Sequence, residues 1–321
     1  MLGRNKTAVI ERDNKHIFRK KLSGNEADVL RRYNNLILWD KYCSKNEEIA
    51  SPSILNKDDD DFVLDYEYVE NGESLQTKYA ACSEEEAADL VKKAARMLAG
   101  INNTKLNVSA TDPISFAEKN MFIAVDKEAY CLCSGGEIEF ISILHHDKEL
   151  MDMIKANQQK FDKNGNYGLC HGDIRFDQFL VDENNKLWIT DFEECHYGNT
   201  SHDLAGLLGS ILFDSLLNTF SYADSECVDS NGVDKKFMER GQKNMDKAGA
   251  LMKAAYEEYS KNVDFKVDLN EVSFRIGTFI LERLLSRAKF SFRMSAVDKA
   301  IAGVGKQAIT NTSLIEEMIL G

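Results

Sequence analysis

Between His171 and Glu194 the chain reads HGDIRFDQFLVDENNKLWITDFEE. Reduced to its polar skeleton, this is His171-x-Asp173-x-Arg175-x-x-Gln178, an apolar stretch, and then Asp191-Phe192-Glu193. A loop bearing an acid and an amide, followed by a hairpin that returns a second acid, suits phosphoryl transfer from a metal–nucleotide complex. That chemistry needs these residue types. One carboxylate must accept or orient the proton of an attacking hydroxyl. A second carboxylate and an amide oxygen can ligate magnesium, a hard cation that takes oxygen ligands. A nearby cation offsets charge on the transferred group.

Such a constellation needs elements to position it. TAVIERDNKHIFRKKL reads as a hairpin, its Val, Ile and Phe runs flanking the turn signal Asp13-Asn14. After Gly24, Leu30, Tyr33, Leu36 and Leu38 recur at roughly helical spacing. FVLDYEYVENG is a buried strand that ends in a turn at Asn71-Gly72, preceded by the solvated acidic run Asp58 to Asp61. Ser83 and Glu86 form a capping box that opens a helix. KEAYCLC and GEIEFISI read as strands, DKELMDMIKANQQKF as a helix, and KLWIT as the strand before Asp191. Everything after Asp203 has helical periodicity, including the amphipathic ERLLSRAKFSFR with Arg283 and Arg287. The expected plan is α+β and bilobal: a small sheet with one helix over residues 1–70, a hinge, then a mostly helical lobe over 71–321.

Bulk composition narrows the partners. The chain has 321 residues, 43% hydrophobic and 29% charged, which is ordinary for a globular protein with a sizeable core. A net charge of -13, spread along the chain, argues against nucleic-acid or anionic-membrane partners and permits a cationic substrate. The longest apolar run, LAGLLGSILF, is too short to span a bilayer. Seven irregularly spaced cysteines fit a reducing cytoplasm, and Cys131 and Cys133 lack a second pair for zinc. His145-His146 reads as a surface pair at a helix start.

HGDIRFDQFL, WITDFEE, Gly198 and the downstream DLA at Asp203 to Ala205 resemble, in order, the catalytic core of the aminoglycoside phosphotransferase and choline kinase family. That resemblance implies a protein-kinase-like fold and transfer of the γ-phosphate of ATP, with Mg2+, to a hydroxyl. It implies Asp173 as base or hydroxyl-orienting group, Arg175 facing the γ-phosphate, and Asp191 as principal magnesium ligand. His171 and Asp203 would be structural supports of the loop. The family pattern usually ends the loop with Asn, whereas Gln178 is one methylene longer and would shift the metal. Maltokinase-like members carry Gln here, with a W…DFE pattern like Trp188 to Glu193.

The N-terminal part resembles the family's phosphate loop and hairpin. Gly3, Asn5, Lys6 and Thr7 could donate to phosphate oxygens. Strand alternation puts Phe18 in the core and Ile17 and Arg19 toward the nucleotide, so Arg19 is the first choice for the strand cation and Lys20 the second. Glu26 would be its helix partner. DYEYVENG resembles the hinge, where the Glu67 carbonyl and Val69 amide would pair with adenine and Tyr68 would cover it. Asn102 stands where the family's LAxLH carries His. The acceptor would be a hydroxyl-bearing small molecule: a sugar, aminoglycoside or amino alcohol. Two alternatives are a kinase for Ser or Thr of a peptide and a nucleotide-binding pseudokinase acting through a protein partner.

Overall fold

The computed structural model describes residues 5–43, 49–104, 125, 127–220 and 230–321. The chain forms two compact units, each discontinuous in sequence. The first comprises the described residues of Met1–Ala117, Tyr167–Asp203 and Lys261–Asp264, and the second those of Glu118–Asn166, Leu204–Ser260 and Phe265–Gly321.

In the first unit, β1 (Lys6–Arg12) and β2 (Lys15–Lys21) pair antiparallel, with Arg12 opposite Lys15. The two linking residues, Asp13 and Asn14, have φ of 52° and 58°. Both lie in the left-handed region, as a twist-matched two-residue hairpin turn requires and as short Asp and Asn side chains tolerate. β3 (Ile54–Asp58) and β4 (Val63–Glu67) complete an antiparallel sheet in the order β1-β2-β4-β3. Leu64 and Ile17 are buried within it.

Helix α1 (Glu26–Cys43) buries Val29, Arg32, Tyr33, Asn35, Leu36 and Trp39. Leu30, placed on the apolar face by sequence spacing, is exposed instead. The buried face is shifted and carries an arginine and an asparagine, so polar groups must be met there by polar partners.

β5 (Glu73–Ser74) and α2 (Leu75–Ala81) lead to α3 (Glu84–Asn102). The Ser83–Glu86 capping box forms as expected: the Glu86 amide donates to Ser83 Oγ at 3.2 Å and the Ser83 amide to Glu86 Oε2 at 2.9 Å. β6 (Tyr167–Cys170) pairs with β9 (His196–Asn199), and β7 (Phe179–Val181) with β8 (Leu187–Ile189) and β5. These short ladders hold the HGD and DFE segments at their ends.

The second unit is helical. It contains α4 (Lys127–Leu132), α5 (Gly135–His146), α6 (Lys148–Asn164), most of α7 (Ser201–Phe220) and α8 (Ser230–Asn262), and then α9 (Leu269–Ala288), α10 (Ala296–Thr310) and α11 (Ser313–Leu320). Here two expectations are corrected, because KEAYCL of the first segment forms α4 and GEIEFISI lies within α5, so neither is a strand. The isoleucines suggested β structure, but Ser134 and Glu137 make a second capping box, with Glu137 N–H donating to Ser134 Oγ at 3.1 Å. Phe140, Ile141 and Leu144 then fall on one buried face with helical period. His145 and His146 sit at the C-terminal end of α5, not at a helix start; both are exposed, and His146 Nδ1 lies 2.7 Å from the Ser142 carbonyl. Arg287 is paired with Asp298 at 3.0 Å. Among the described residues, no helix is long and apolar enough to cross a membrane.

Candidate active site

The loop after β6 is fixed by one carboxylate. Asp203, at the start of α7, accepts from the His171 amide at 2.7 Å and from the Gly172 amide at 3.0 Å. Asn102, at the end of α3, donates from Nδ2 to the Asp203 carboxylate at 3.1 Å and to the Leu169 carbonyl at 2.8 Å, so it too supports the loop. Gly172 has φ of +84°, and a Cβ there would come within 2.2 Å of the Glu194 carbonyl oxygen. No side chain fits in that space, because the loop lies directly against the DFE turn. The His171 ring lies 2.8 Å, through Nε2, from the Thr190 carbonyl and tilts against Phe192.

Asp173 follows, its side chain about one-third exposed at 34%. Arg175 Nη1 donates to Asp173 Oδ2 at 2.8 Å, and Arg175 Nε donates to Asp177 Oδ1 at 2.8 Å. Burial works against the charge on Arg175, but Asp173 and Asp177 outweigh it and hold its pKa above the ordinary value. Gln178 is buried at the end of a short 3-10 turn, Phe176–Gln178. Its carbonyl accepts from both the amide (2.9 Å) and the hydroxyl (3.0 Å) of Thr190, the residue before Asp191. The loop and the returning strand are thereby laced together at Gln178 and at the residue next to Asp191.

Asp191 adopts φ 68° and ψ 51°. A left-handed conformation costs a non-glycine residue about 1–2 kcal/mol, so the surrounding packing must hold it. Trp39 of α1 stacks on Phe192 with ring centroids 3.4 Å apart, and Asn35 Nδ2 donates to the Glu193 carbonyl at 3.0 Å. The Asp191 side chain is left 32% exposed.

The strand cation that reaches this turn is Lys20, which corrects the order of preference between Arg19 and Lys20. Lys20 is buried and its ammonium contacts Asp191 Oδ1, with Glu193 Oε2 at 2.8 Å. Burial alone would lower the lysine pKa, yet the attraction and hydrogen bonds of Asp191 and Glu193 prevail and raise it. Arg19 sits on the opposite face of β2, directly across from Asp65. It binds that carboxylate through Nε (2.7 Å) and Nη2 (2.8 Å). Ile17, not Phe18, is the buried apolar residue of β2, and Phe18 is only half-buried, so the face expected to carry the core is the one that carries Lys20.

Glu26 is also corrected. It is exposed at the first residue of α1, and the carboxylates on Lys20 come from Asp191 and Glu193. Glu193 further accepts from Asn5 Nδ2 at 2.7 Å and lies 3.5 Å from Arg32 Nη1. Arg31 pairs with Glu194 at 2.9 Å. Sequence reasoning missed Glu193, Arg31 and Arg32. The available signal was the two arginines and Asn35 on the helical face that faces Phe192, matched by the acidic pair in DFEE.

At the expected hinge, Glu67 ends β4, donating from its amide to the Ser53 carbonyl at 2.9 Å. The Val69 carbonyl accepts from Gly72 N–H at 3.1 Å, and Asn71 turns the chain with φ 53°. Tyr68 meets His16 edge-on at 5.5 Å. Asn5 is bound to Glu193 and Arg32, Lys6 and Thr7 lie in β1, and Gly3 lies outside the described residues.

Comparison with known proteins names this arrangement. The model of the phosphotransferase enzyme family matches residues 17–225, more than half of the chain, including both HGD and DFE. The chain belongs to that family. As a family member it is a nucleotide-binding phosphotransferase with an alcohol group as acceptor. Its fold is that of the kinase-like phosphotransferases, as solved structures show. Choline kinase LicA from Streptococcus pneumoniae matches with a TM-score of 0.55 at 13% identity, covering 96% of this chain and 89% of that one. LicA in complex with AMP matches at 0.55 and 12% identity, with coverages of 96% and 88%. Spectinomycin phosphotransferase APH(9)-Ia, in complex with ADP and spectinomycin, matches at 0.52 and 14% identity, with coverages of 97% and 90%. No curated protein matches this phosphotransferase in sequence.

Proposed function

We propose that this phosphotransferase moves the γ-phosphate of ATP, bound as its magnesium complex, to a hydroxyl of a small molecule such as a sugar, aminoglycoside or amino alcohol. One observation carries the reading: a buried lysine of the N-terminal sheet meets Asp191 of the DFE turn, which is laced through Thr190 to the loop bearing Asp173 and Gln178. A strand cation, a metal-type carboxylate and a base-type carboxylate are thus presented together by three separate stretches of chain.

The donor set suits magnesium. Among the described residues there is no cluster of three or more His, Cys, Asp or Glu that could form a complete metal cage. Magnesium does not need one, since it retains waters and takes one or two carboxylates with substrate phosphates. Asp191, partly exposed, and the Gln178 amide oxygen would hold the ion, which when bound supplies charge neutralisation on the phosphates.

The residues of the chain divide the remaining work. Asp173 accepts or orients the acceptor hydroxyl proton. Arg175, clamped between Asp173 and Asp177, presents its cationic face to the transferred group. Lys20 takes the nucleotide phosphates, a role that Arg19, committed to Asp65, is not placed to fill. Residues 1–70 form the nucleotide lobe and 71–321 the remainder, with the Glu67 carbonyl and Val69 amide pairing with adenine. The acidic net charge of -13 permits a cationic acceptor. The seven irregularly spaced cysteines support a reducing cytoplasm as the setting of the reaction.

Titration of ATP with and without magnesium, on the wild type and on Asp191→Ala, tests this reading. Magnesium-dependent binding that the substitution abolishes supports it and starts an acceptor screen read by ADP release. Absence of nucleotide binding in the wild type would overturn it.

A further inference from the structure

The strand lysine of this chain is served by an arrangement of charge opposite to the one its family resemblance implies. A carboxylate on α1 was expected, and α1 instead presents cations and an amide: Arg31, Arg32 and Asn35 all face residues 193–194. The carboxylate comes from the DFE turn itself. Resting on the phosphotransferase reading above, we propose that Glu193 is the positioning residue for Lys20, and that Arg32 and Asn5 hold Glu193 in place.

The geometry is continuous. Glu193 Oε2 stands 2.8 Å from Lys20 Nζ and accepts from Asn5 Nδ2 at 2.7 Å. Asn5 Oδ1 in turn accepts from Arg32 Nη1 at 2.8 Å and from the Ser23 amide at 3.3 Å. Arg32 is completely buried, and three other contacts fix its orientation: Nε to Asp28 at 2.9 Å, Nη2 to the Ser23 carbonyl at 2.8 Å, and Nη1 toward Glu193 at 3.5 Å. A buried guanidinium with this many fixed acceptors has little freedom to release them, because an unpaired buried charge is costly.

Glu193 matters more than Asp191 for holding the lysine once the site is loaded. Asp191 contacts Lys20 in this structure, but it is also the carboxylate assigned to the metal. When that carboxylate turns to an ion, Lys20 keeps Glu193 as its remaining carboxylate, and its other donors are free for a phosphate oxygen. Without Glu193, the ammonium would be buried beside Arg32 with no committed acid. α1 then acts on the nucleotide site through Arg32, Asn5 and Glu193 rather than by direct contact with the lysine.

Two measurements on the full chain test this. The first compares MgATP and adenosine affinity by calorimetry for Glu193→Gln, Glu193→Asp and the milder Asn5→Ala, which carries the test if Glu193→Gln does not fold. Loss of one charge-assisted contact should weaken MgATP binding by about 10- to 100-fold in Glu193→Gln, while adenosine affinity stays at the wild-type value. Glu193→Asp should recover part of the loss, and Asn5→Ala should shift MgATP binding in the same direction by less. The second measures acylation of Lys20 by an amine-reactive reagent, followed by peptide mass spectrometry without nucleotide. Lys20 should be protected in the wild type and react faster in Glu193→Gln. An unchanged MgATP affinity, or an equal loss of adenosine and MgATP binding, would overturn the positioning role. If the wild type binds no MgATP, the phosphotransferase reading fails, and the acylation rates decide this inference alone: unaltered protection of Lys20 in Glu193→Gln overturns it.

Discussion

Lys20 and Asp191 are 171 positions apart in sequence, and the ammonium of one contacts the carboxylate of the other. Lys20 comes from the central pair of the N-terminal sheet, and Asp191 from a left-handed turn after β8. Their contact joins the sheet to the DFE turn within one compact unit. It also separates Lys20 from its neighbour Arg19, which faces the other way.

That separation predicts opposite outcomes for two adjacent substitutions. Lys20→Met should weaken MgATP binding by about 10- to 100-fold, the usual effect of losing a charge-assisted contact to phosphate. Arg19→Met should leave MgATP affinity near the wild-type value and lower only stability. Calorimetry on both variants, with thermal unfolding as a second readout, distinguishes them.

Asp173 should matter to transfer and not to nucleotide binding. Asp173→Asn keeps the shape of the loop but removes the proton acceptor, so turnover should fall by about a hundred- to ten-thousandfold. The MgATP dissociation constant should stay close to that of the wild type. ADP release with an acceptor found by screening gives the first quantity, and calorimetry gives the second.

The Arg19–Asp65 pair carries a pH signature in stability. The hydrogen bonds from Arg19 hold the Asp65 carboxyl below its usual pKa, outweighing burial of a side chain only 1% exposed. The unfolded chain therefore binds a proton at higher pH than the folded chain does. The contribution of the pair is complete above the unfolded value of about 3.9 and disappears as pH falls through the lower folded value. Urea unfolding should show the wild type more stable than Asp65→Asn by a constant margin near neutrality, with the margin shrinking below about pH 4.

Gly172 cannot be replaced without disturbing two segments. Its φ of +84° disfavours a side chain, and a Cβ would overlap the Glu194 carbonyl at 2.2 Å. Gly172→Ala should lower stability by at least about 2 kcal/mol, since backbone strain and a steric clash add. Urea midpoints would show the loss, and nucleotide affinity should drop as the HGD and DFE segments move apart.

Local rules made much of the scaffold readable. The Asp13-Asn14 turn, the Ser83 capping box and the helices after Asp203 depend on neighbours a few positions away, and all three are present in the structure. GEIEFISI is helical because its β-branched density competes with a capping box begun two residues earlier at Ser134, and one-sided burial favours the helix.

By itself, the sequence determined the family and the order of HGD, Gln178 and DFE, because those groups lie close together along the chain. Tertiary structure alone decided which strand cation meets Asp191, and that its acid is Glu193 rather than Glu26. Adjacent residues of a strand point to opposite faces, so a one-residue difference in which face is covered exchanges Arg19 for Lys20. The covering surface is made by α1 and the DFE turn, which are distant in sequence and meet only when Trp39 stacks on Phe192 and Arg32 is buried beside Glu193.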